Sequence, residues 1–193
     1  KGMLWISTGI LNTGKIPTDC ILNRYDRPIG KFTRYKNDPT NPNSNPGSLV
    51  TDIYEDRKGN FWLIEITPES GLYQMDRSTG NFTRFYADAA NPVPLSNTPP
   101  AVKTAFWMNF IREDVTGALW LAMGNSGLNR YDPITNKVSH YGYVYNGNKL
   151  LSEKDTISGF KSVSPLKAFN SKDGLFWVVS SYGGLFSFNY NSS

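Results

Sequence analysis

The sequence predicts an all-β chain of β-propeller blades, four-stranded antiparallel units that make about half of a seven- or eight-bladed ring. Three observations predict it. Four hydrophobic–Trp pairs recur, Leu4-Trp5, Phe61-Trp62, Leu119-Trp120 and Phe176-Trp177, and their Trp residues stand 57, 58 and 57 positions apart. Each Trp follows a glycine by three positions: Gly2, Gly59, Gly117 and Gly174. Short runs rich in β-branched and aromatic residues alternate with turn residues throughout, the pattern of antiparallel hairpins. A period of about 40 to 60 residues holding four strands is the signature of a propeller blade.

The strands of one unit follow in order. The first runs up to an acidic turn: Val50 to Asp56, Met108 to Asp114, Leu166 to Asp173. The second carries the hydrophobic–Trp pair. The third is Leu22 to Asp26, Gly71 to Asp76, Gly127 to Asp132 and Gly184 to Asn189. The fourth is Lys31 to Tyr35, Asn81 to Phe85 and Lys137 to Tyr141. Tight turns join them, such as Asp56-Arg57-Lys58-Gly59, Asp76 to Gly80 and Asp132 to Asn136. Asp opens such a turn by bonding its own backbone, and Gly or Asn accepts the positive φ that closes it.

The units divide as an incomplete blade at 1–48, blades at 49–103 and 104–162, and an incomplete blade at 163–193. That is roughly 14 strands, too few to close the usual ring. The first unit lacks its first strand and the last lacks its fourth, so the two do not complete one another. No window keeps helical apolar spacing for three turns without Gly or Pro, and helix is expected below about 10%.

Composition narrows the class. The 193 residues include 5 Trp, 11 Tyr and 11 Phe, too many aromatic rings for an unburied chain. Lys and Arg number 20 against 16 Asp and Glu, for a net charge of +4. The cations are scattered, with no run longer than the pair Arg57-Lys58, which argues against a nucleic-acid groove or a membrane patch. No apolar run approaches the ~18 residues of a membrane span, and no signal peptide is seen. The chain begins at Lys1 and reads as a segment of a longer protein.

The candidate chemistry is sparse. Cys20 is the only cysteine, which excludes an intrachain disulfide and a cysteine-built metal site, and it reads as an inert thiol in an inserted loop. His140 is the only histidine, so neither a catalytic triad nor a histidine metal site can be assembled. The Asp-x-x-Gly turns hold too few oxygens for calcium. Glu55-Asp56 and Glu113-Asp114 recur at turn positions, which favours turn chemistry. Glu65 and Glu69 are unrepeated and are the residues available for acid–base work on a sugar. No cofactor, no metal site and no catalytic residue is expected. The four repeated Trp residues read as core, because four equivalent positions cannot all line one site.

The repeat resembles that of the two-component regulator propeller family, which runs Glu-Asp, Gly-x-hydrophobic-Trp, Gly-Leu-x-x-Tyr-Asp and Phe-x-x-Tyr. The best match is Ile53-Tyr54-Glu55-Asp56-Arg57-Lys58-Gly59-Asn60-Phe61-Trp62, and Asn37 to Ser44 is similar to the family's linker between blades. The chain departs from it in the insertion Ile10 to Cys20, at Met123 and Asn125, and in Ser171-Lys172-Asp173-Gly174. The resemblance implies an extracytoplasmic (periplasmic) sensor region of a hybrid histidine-kinase regulator of a Bacteroides-type bacterium. It also implies a glycan-derived ligand, the remaining blades of the parent propeller as partners and homodimerisation across a membrane. Membrane contact would come only through parts of such a protein that this chain does not contain.

The site is expected where the connections are long. In a propeller the connections from fourth to next first strand and from second to third strand share one end. Here the former are long, Lys36 to Ser48, Ala87 to Lys103 and Gly142 to Ser162, and the insertion Ile10 to Cys20 joins them. Long loops on a rigid scaffold are where binding usually lies. They bring Trp107, Asn109, Tyr143 and Tyr182 toward one rim. Trp107, the one Trp outside the repeat, aligns with Leu49 and Ser164 at the start of a first strand, either as a hydrophobic plug of its loop or as an aromatic platform. Aromatic faces stack on sugar rings and Asn offers directional hydrogen bonds, so an oligosaccharide-like ligand bound without turnover is expected. Two readings compete with it: a propeller lyase or glycoside hydrolase, and a protein-interaction scaffold.

Overall fold

The computed structural model describes residues 3–9, 21–47, 49–66, 71–85, 108–123, 127–135, 137–146, 149–154, 165–180 and 184–189. These residues form 15 β-strands and no helix, in four antiparallel sheets, none closed on itself. The first sheet is β1 (Met3–Thr8), β2 (Ile21–Asp26) and β3 (Lys31–Tyr35). The second is β4 (Leu49–Glu55), β5 (Phe61–Ile66), β6 (Gly71–Met75) and β7 (Phe82–Phe85). The third runs β8 (Met108–Glu113), β9 (Leu119–Met123), β10 (Gly127–Asp132), β11 (Lys137–Asn146) and β12 (Lys149–Lys154). The fourth is β13 (Pro165–Asn170), β14 (Leu175–Ser180) and β15 (Gly184–Asn189).

The third sheet corrects one expectation. The spacing predicts a long loop from Gly142 to Ser162, whereas the chain forms a β-hairpin there that adds a fifth strand. β11 runs on through Tyr143, Val144 and Tyr145, with Gly142 paired to Lys154 and Asn146 to Lys149. The reason lies in the sequence: alternating aromatic and β-branched residues lead up to Gly147-Asn148, a pair of residue types suited to a two-residue hairpin connection.

The sheets stack face to face, and the two-residue period of a strand gives each sheet two apolar faces. In β5, Phe61 and Leu63 join a core with Leu22 and Trp5 of the first sheet, while Trp62 and Ile64 join one with Ile111, Leu119 and Leu121 of the third. In β9, Trp120 and Ala122 turn the other way, onto Ala168, Phe176 and Val178 of the fourth sheet. The hydrophobic–Trp pair therefore works as a two-sided joint. Its Trp packs against the next sheet and its partner against the previous one. Trp5 meets Phe61 at 4.6 Å between ring centroids, and Trp120 meets Phe176 at 5.0 Å. Each such side chain, fully buried, contributes about 1.5–3 kcal/mol, so the three inter-sheet layers are the main source of stability.

The turns after the first strands hold this joint in place. Asp56 accepts the backbone N–H of Lys58 and Asn60, at 3.0 and 2.8 Å, and the indole N–H of Trp62 at 2.9 Å. Asp114 does the same for Thr116 at 2.8 Å and Trp120 at 2.8 Å, and it also takes Arg130 Nε at 2.9 Å. In the fourth sheet Ser171 stands in for the aspartate, and Trp177 donates to its hydroxyl at a longer 3.2 Å.

Candidate functional site

Antiparallel pairing sends the first strands β4, β8 and β13 out from the same end at which the second strands finish. All three first strands carry the same irregularity there. The register slips between Val50 and Asp52, between Met108 and Phe110, and between Pro165 and Lys167. One residue is left over at each place: Thr51, Asn109 and Leu166. These are equivalent positions of the repeat, seven residues or fewer from the acidic turn in each strand. A bulge re-aims the side chain of its extra residue, and such bulges gather near functional sites. Thr51 and Leu166 are exposed.

Side chains lock the first strands to one another below these bulges. Asp52 accepts the backbone N–H of Ile111 at 3.1 Å and pairs with Arg112 at 2.7 Å, and the Arg112 guanidinium lies 5.8 Å from the Tyr54 ring centroid. Asn170 of the fourth sheet donates to the Glu113 carbonyl at 2.7 Å. At the turn end, Glu113 accepts the Arg57 backbone N–H at 2.8 Å and its Nε at 3.2 Å, and Arg57 also bonds the Asp114 carbonyl. The bulges thus sit on a rigid base.

Of the four residues read from the sequence as a rim, Trp107 and Tyr182 lie outside the described residues. Asn109 is the bulged residue of β8, immediately after Met108 at the strand's start. Tyr143 is in β11 opposite Glu153 of β12, in the hairpin rather than a loop. The side chains of Asn109 and Tyr143 are not among those described, and neither Cys20 nor Glu69 is among the described residues. Sequence reasoning missed the bulges, because Thr, Asn and Leu at the three positions share no chemical signature. Glu65, the other carboxylate offered for acid–base work, is fully buried in β5 opposite Val50 and Gly71.

Two clefts also lie among the described residues. One of about 240 Å³ opens between the 37–46 linker and β6–β7, lined by Pro39, Pro42, Pro46, Tyr73, Phe82 and Arg84. The linker is built rather than slack. Asp38 accepts the N–H and hydroxyl of Thr40, Asn41 accepts the N–H of Asn43, and Asn45 bridges the Tyr35 carbonyl and the Gly47 N–H. The other cleft, about 390 Å³, is at the turn end, beside Asp76, Arg77 and Ser78. The Ser78 hydroxyl, aided by the Ser78 N–H and Thr79, holds the exposed Asp76 carboxyl at about 2. Among the described residues no group of His, Cys, Asp and Glu could hold a metal ion. No helix among them is long and apolar enough to cross a membrane.

No family model matches the chain, and no curated protein matches it. Solved structures do. One is PorZ, an essential surface component of the type-IX secretion system of Porphyromonas gingivalis, at a TM-score of 0.58 and 16% identity, over 100% of this chain and 24% of that one. Another is a protein of unknown function from Bacteroides thetaiotaomicron, at 0.54 and 13%, over 88% of this chain and 44% of that one. A third is the extracellular domain of a putative hybrid two-component system of the same bacterium, at 0.47 and 15%, over 95% and 28%. The chain thus spans less than half the length of each. At these identities the likeness to the first two is one of fold.

Proposed function

We propose that this chain is part of a β-propeller that binds an oligosaccharide-like ligand at the bulged end of its first strands, without turning it over. The observation that carries the reading is the recurrence of the bulge at Thr51, Asn109 and Leu166 above a laterally bonded base. A repeat that keeps its stacking and its bulge while the bulged residue changes from Thr to Asn to Leu is a scaffold with an adjustable surface. By sequence Trp107 stands two positions before the bulge, and the reading assigns it, with Tyr143 and Tyr182, as the aromatic residues that meet a sugar ring. The four stacked sheets are read here as about half of a ring of seven or eight blades.

The repeat resembles that of extracytoplasmic sensor regions, and on that ground we place the segment outside the cytoplasm, in a two-component sensor responsive to glycans. The complete burial of Glu65 weighs for binding over hydrolysis or elimination, since a general acid must reach its substrate. Calorimetric titration of the intact chain with a panel of oligosaccharides tests the reading, with Trp107→Ala and Asn109→Ala beside it. Binding that weakens at least tenfold in both variants supports it. Affinity unchanged in both, with the fold retained, moves the site off this rim, and turnover of any sugar would favour the enzyme reading.

A further inference from the structure

The cleft between the 37–46 linker and β6–β7 stands on a fixed frame. The Asn43 carbonyl accepts the Phe82 backbone N–H of β7 at 2.8 Å, which pins the linker to the sheet. Asn37 Nδ2 donates to the Asn45 carbonyl at 2.9 Å, and Asn45 Nδ2 donates to the Tyr35 carbonyl at 3.0 Å. The lining is largely apolar. Tyr73 and Phe82, 5% and 4% exposed, close the sheet side, and Pro39, Pro42 and Pro46 supply the linker side. A proline ring offers CH₂ groups and no N–H.

Among the described residues two charged side chains line the cleft, one of each sign. Arg84 pairs with Tyr73 across β6–β7, and its guanidinium lies 5.8 Å from the Tyr73 ring centroid. Stacking engages the flat face of a guanidinium, whereas its five N–H donors lie in its plane. Asp38 accepts the Thr40 N–H and hydroxyl at 2.9 and 2.7 Å, both through Oδ1. The Thr40 hydroxyl, aided by the N–H, holds the Asp38 carboxyl below its ordinary value, so it stays ionised at neutral pH.

We propose that this cleft binds a free α-amino acid with an apolar side chain. The ligand carboxylate pairs with Arg84, its ammonium pairs with Asp38, and its side chain lies among the prolines beside Tyr73 and Phe82. A cation and an anion in one apolar cleft match a zwitterion, since a simple acid or amine would leave one of the two charges desolvated and unpaired. At about 240 Å³ the cleft is smaller than the ~300–1,000 Å³ of drug-sized sites, which suits a single small molecule. None of the three bulged residues lines it, so this site stands independently of the oligosaccharide reading.

Calorimetric titration of the 193-residue chain with L-leucine and L-phenylalanine tests it, beside their amides, which lack the carboxylate, and the corresponding acids without the amine. The expected result is saturable binding of at least one amino acid, with its amide and its deaminated acid weaker by about tenfold or more. Arg84→Gln weakens the amino acid by a like factor and leaves the amide unchanged. Asp38→Asn weakens the amino acid and leaves the deaminated acid unchanged. Circular dichroism of each variant confirms that the strands are retained. Absence of binding of either amino acid to the folded parent chain overturns the proposal, as does equal affinity for an amino acid and both of its analogues. Amino-acid binding that neither substitution moves overturns the assignment to this cleft.

Discussion

Trp62 donates its indole N–H to the Asp56 carboxylate at 2.9 Å, six residues back along the chain. That bond joins the turn at one end of a sheet to the joint between sheets. It fixes the χ angles of the largest side chain in the layer while satisfying the one polar atom that the ring would otherwise bury unpaired. The same six-residue pairing recurs between Asp114 and Trp120 at 2.8 Å and, in weaker form, between Ser171 and Trp177 at 3.2 Å.

Asp114→Ala should therefore destabilise the chain by about 2–4 kcal/mol, because it leaves the buried Trp120 N–H and two turn amides without an acceptor. Ser171→Ala, which removes a longer neutral bond at a partly exposed indole, should cost about 1 kcal/mol or less. Urea unfolding of the two variants compares them directly. Equal losses would mean that the pairing does not anchor the joint.

The same aspartates set an acid limit. Burial by itself would raise Asp114, but hydrogen bonds from Thr116, Trp120 and Arg130 outweigh it and hold the carboxyl below its ordinary value. Asp56 is lowered likewise, its burial outweighed by bonds from Trp62, Asn60 and Lys58. A carboxyl lowered by folding contributes stability that is complete above its unfolded value of ~3.9 and is lost as pH falls through the folded one. The urea midpoint should stay level from about pH 7 to 5 and drop below about pH 4. With Asp56→Asn and Asp114→Asn combined, the curve should start lower and fall less steeply; an unchanged slope would exclude these two groups as the cause.

Arg57 and Glu113 link neighbouring sheets unequally. The Glu113 side chain is 5% exposed and the Arg57 side chain 58%. Arg57→Ala should cost less than about 1 kcal/mol, as an exposed arm gains little from pairing. Glu113→Ala should cost about 2 kcal/mol, since it also strips the acceptor from the half-buried Arg57 N–H. Thermal unfolding ranks them, and the reverse order would contradict the asymmetry.

The linker cleft depends on Gly47. Its φ is +80°, and an added Cβ would lie 2.9 Å from the Asn37 Cβ. Gly59 has a similar φ of +84° with open space around it. Gly59→Ala should cost about 1–2 kcal/mol of left-handed strain, and Gly47→Ala more, because the linker must also shift. Equal effects would show that the linker yields freely.

The strands, their order within each sheet and the Trp joints follow from local chemistry: alternation, tight Asp–Gly turns and a period of 57–58 residues. A strand's two faces are written in its own residues, and the repetition of Trp62 at a fixed place is why it reads as core before any packing is known. The Asp–Trp pairing was equally within reach, since its spacing of six never changes. The hairpin at Gly142 to Lys154 is written in the same alternation and in Gly147-Asn148, but a repeat frame of four strands leaves no place for it. The bulges were not legible, because a register slip depends on how two strands meet, and Thr51, Asn109 and Leu166 share no property that would announce it. Burial was decided by stacking alone. Leu72 and Leu185 both follow a glycine at the same repeat position, yet one is sealed and the other open, because only one has a sheet laid over it.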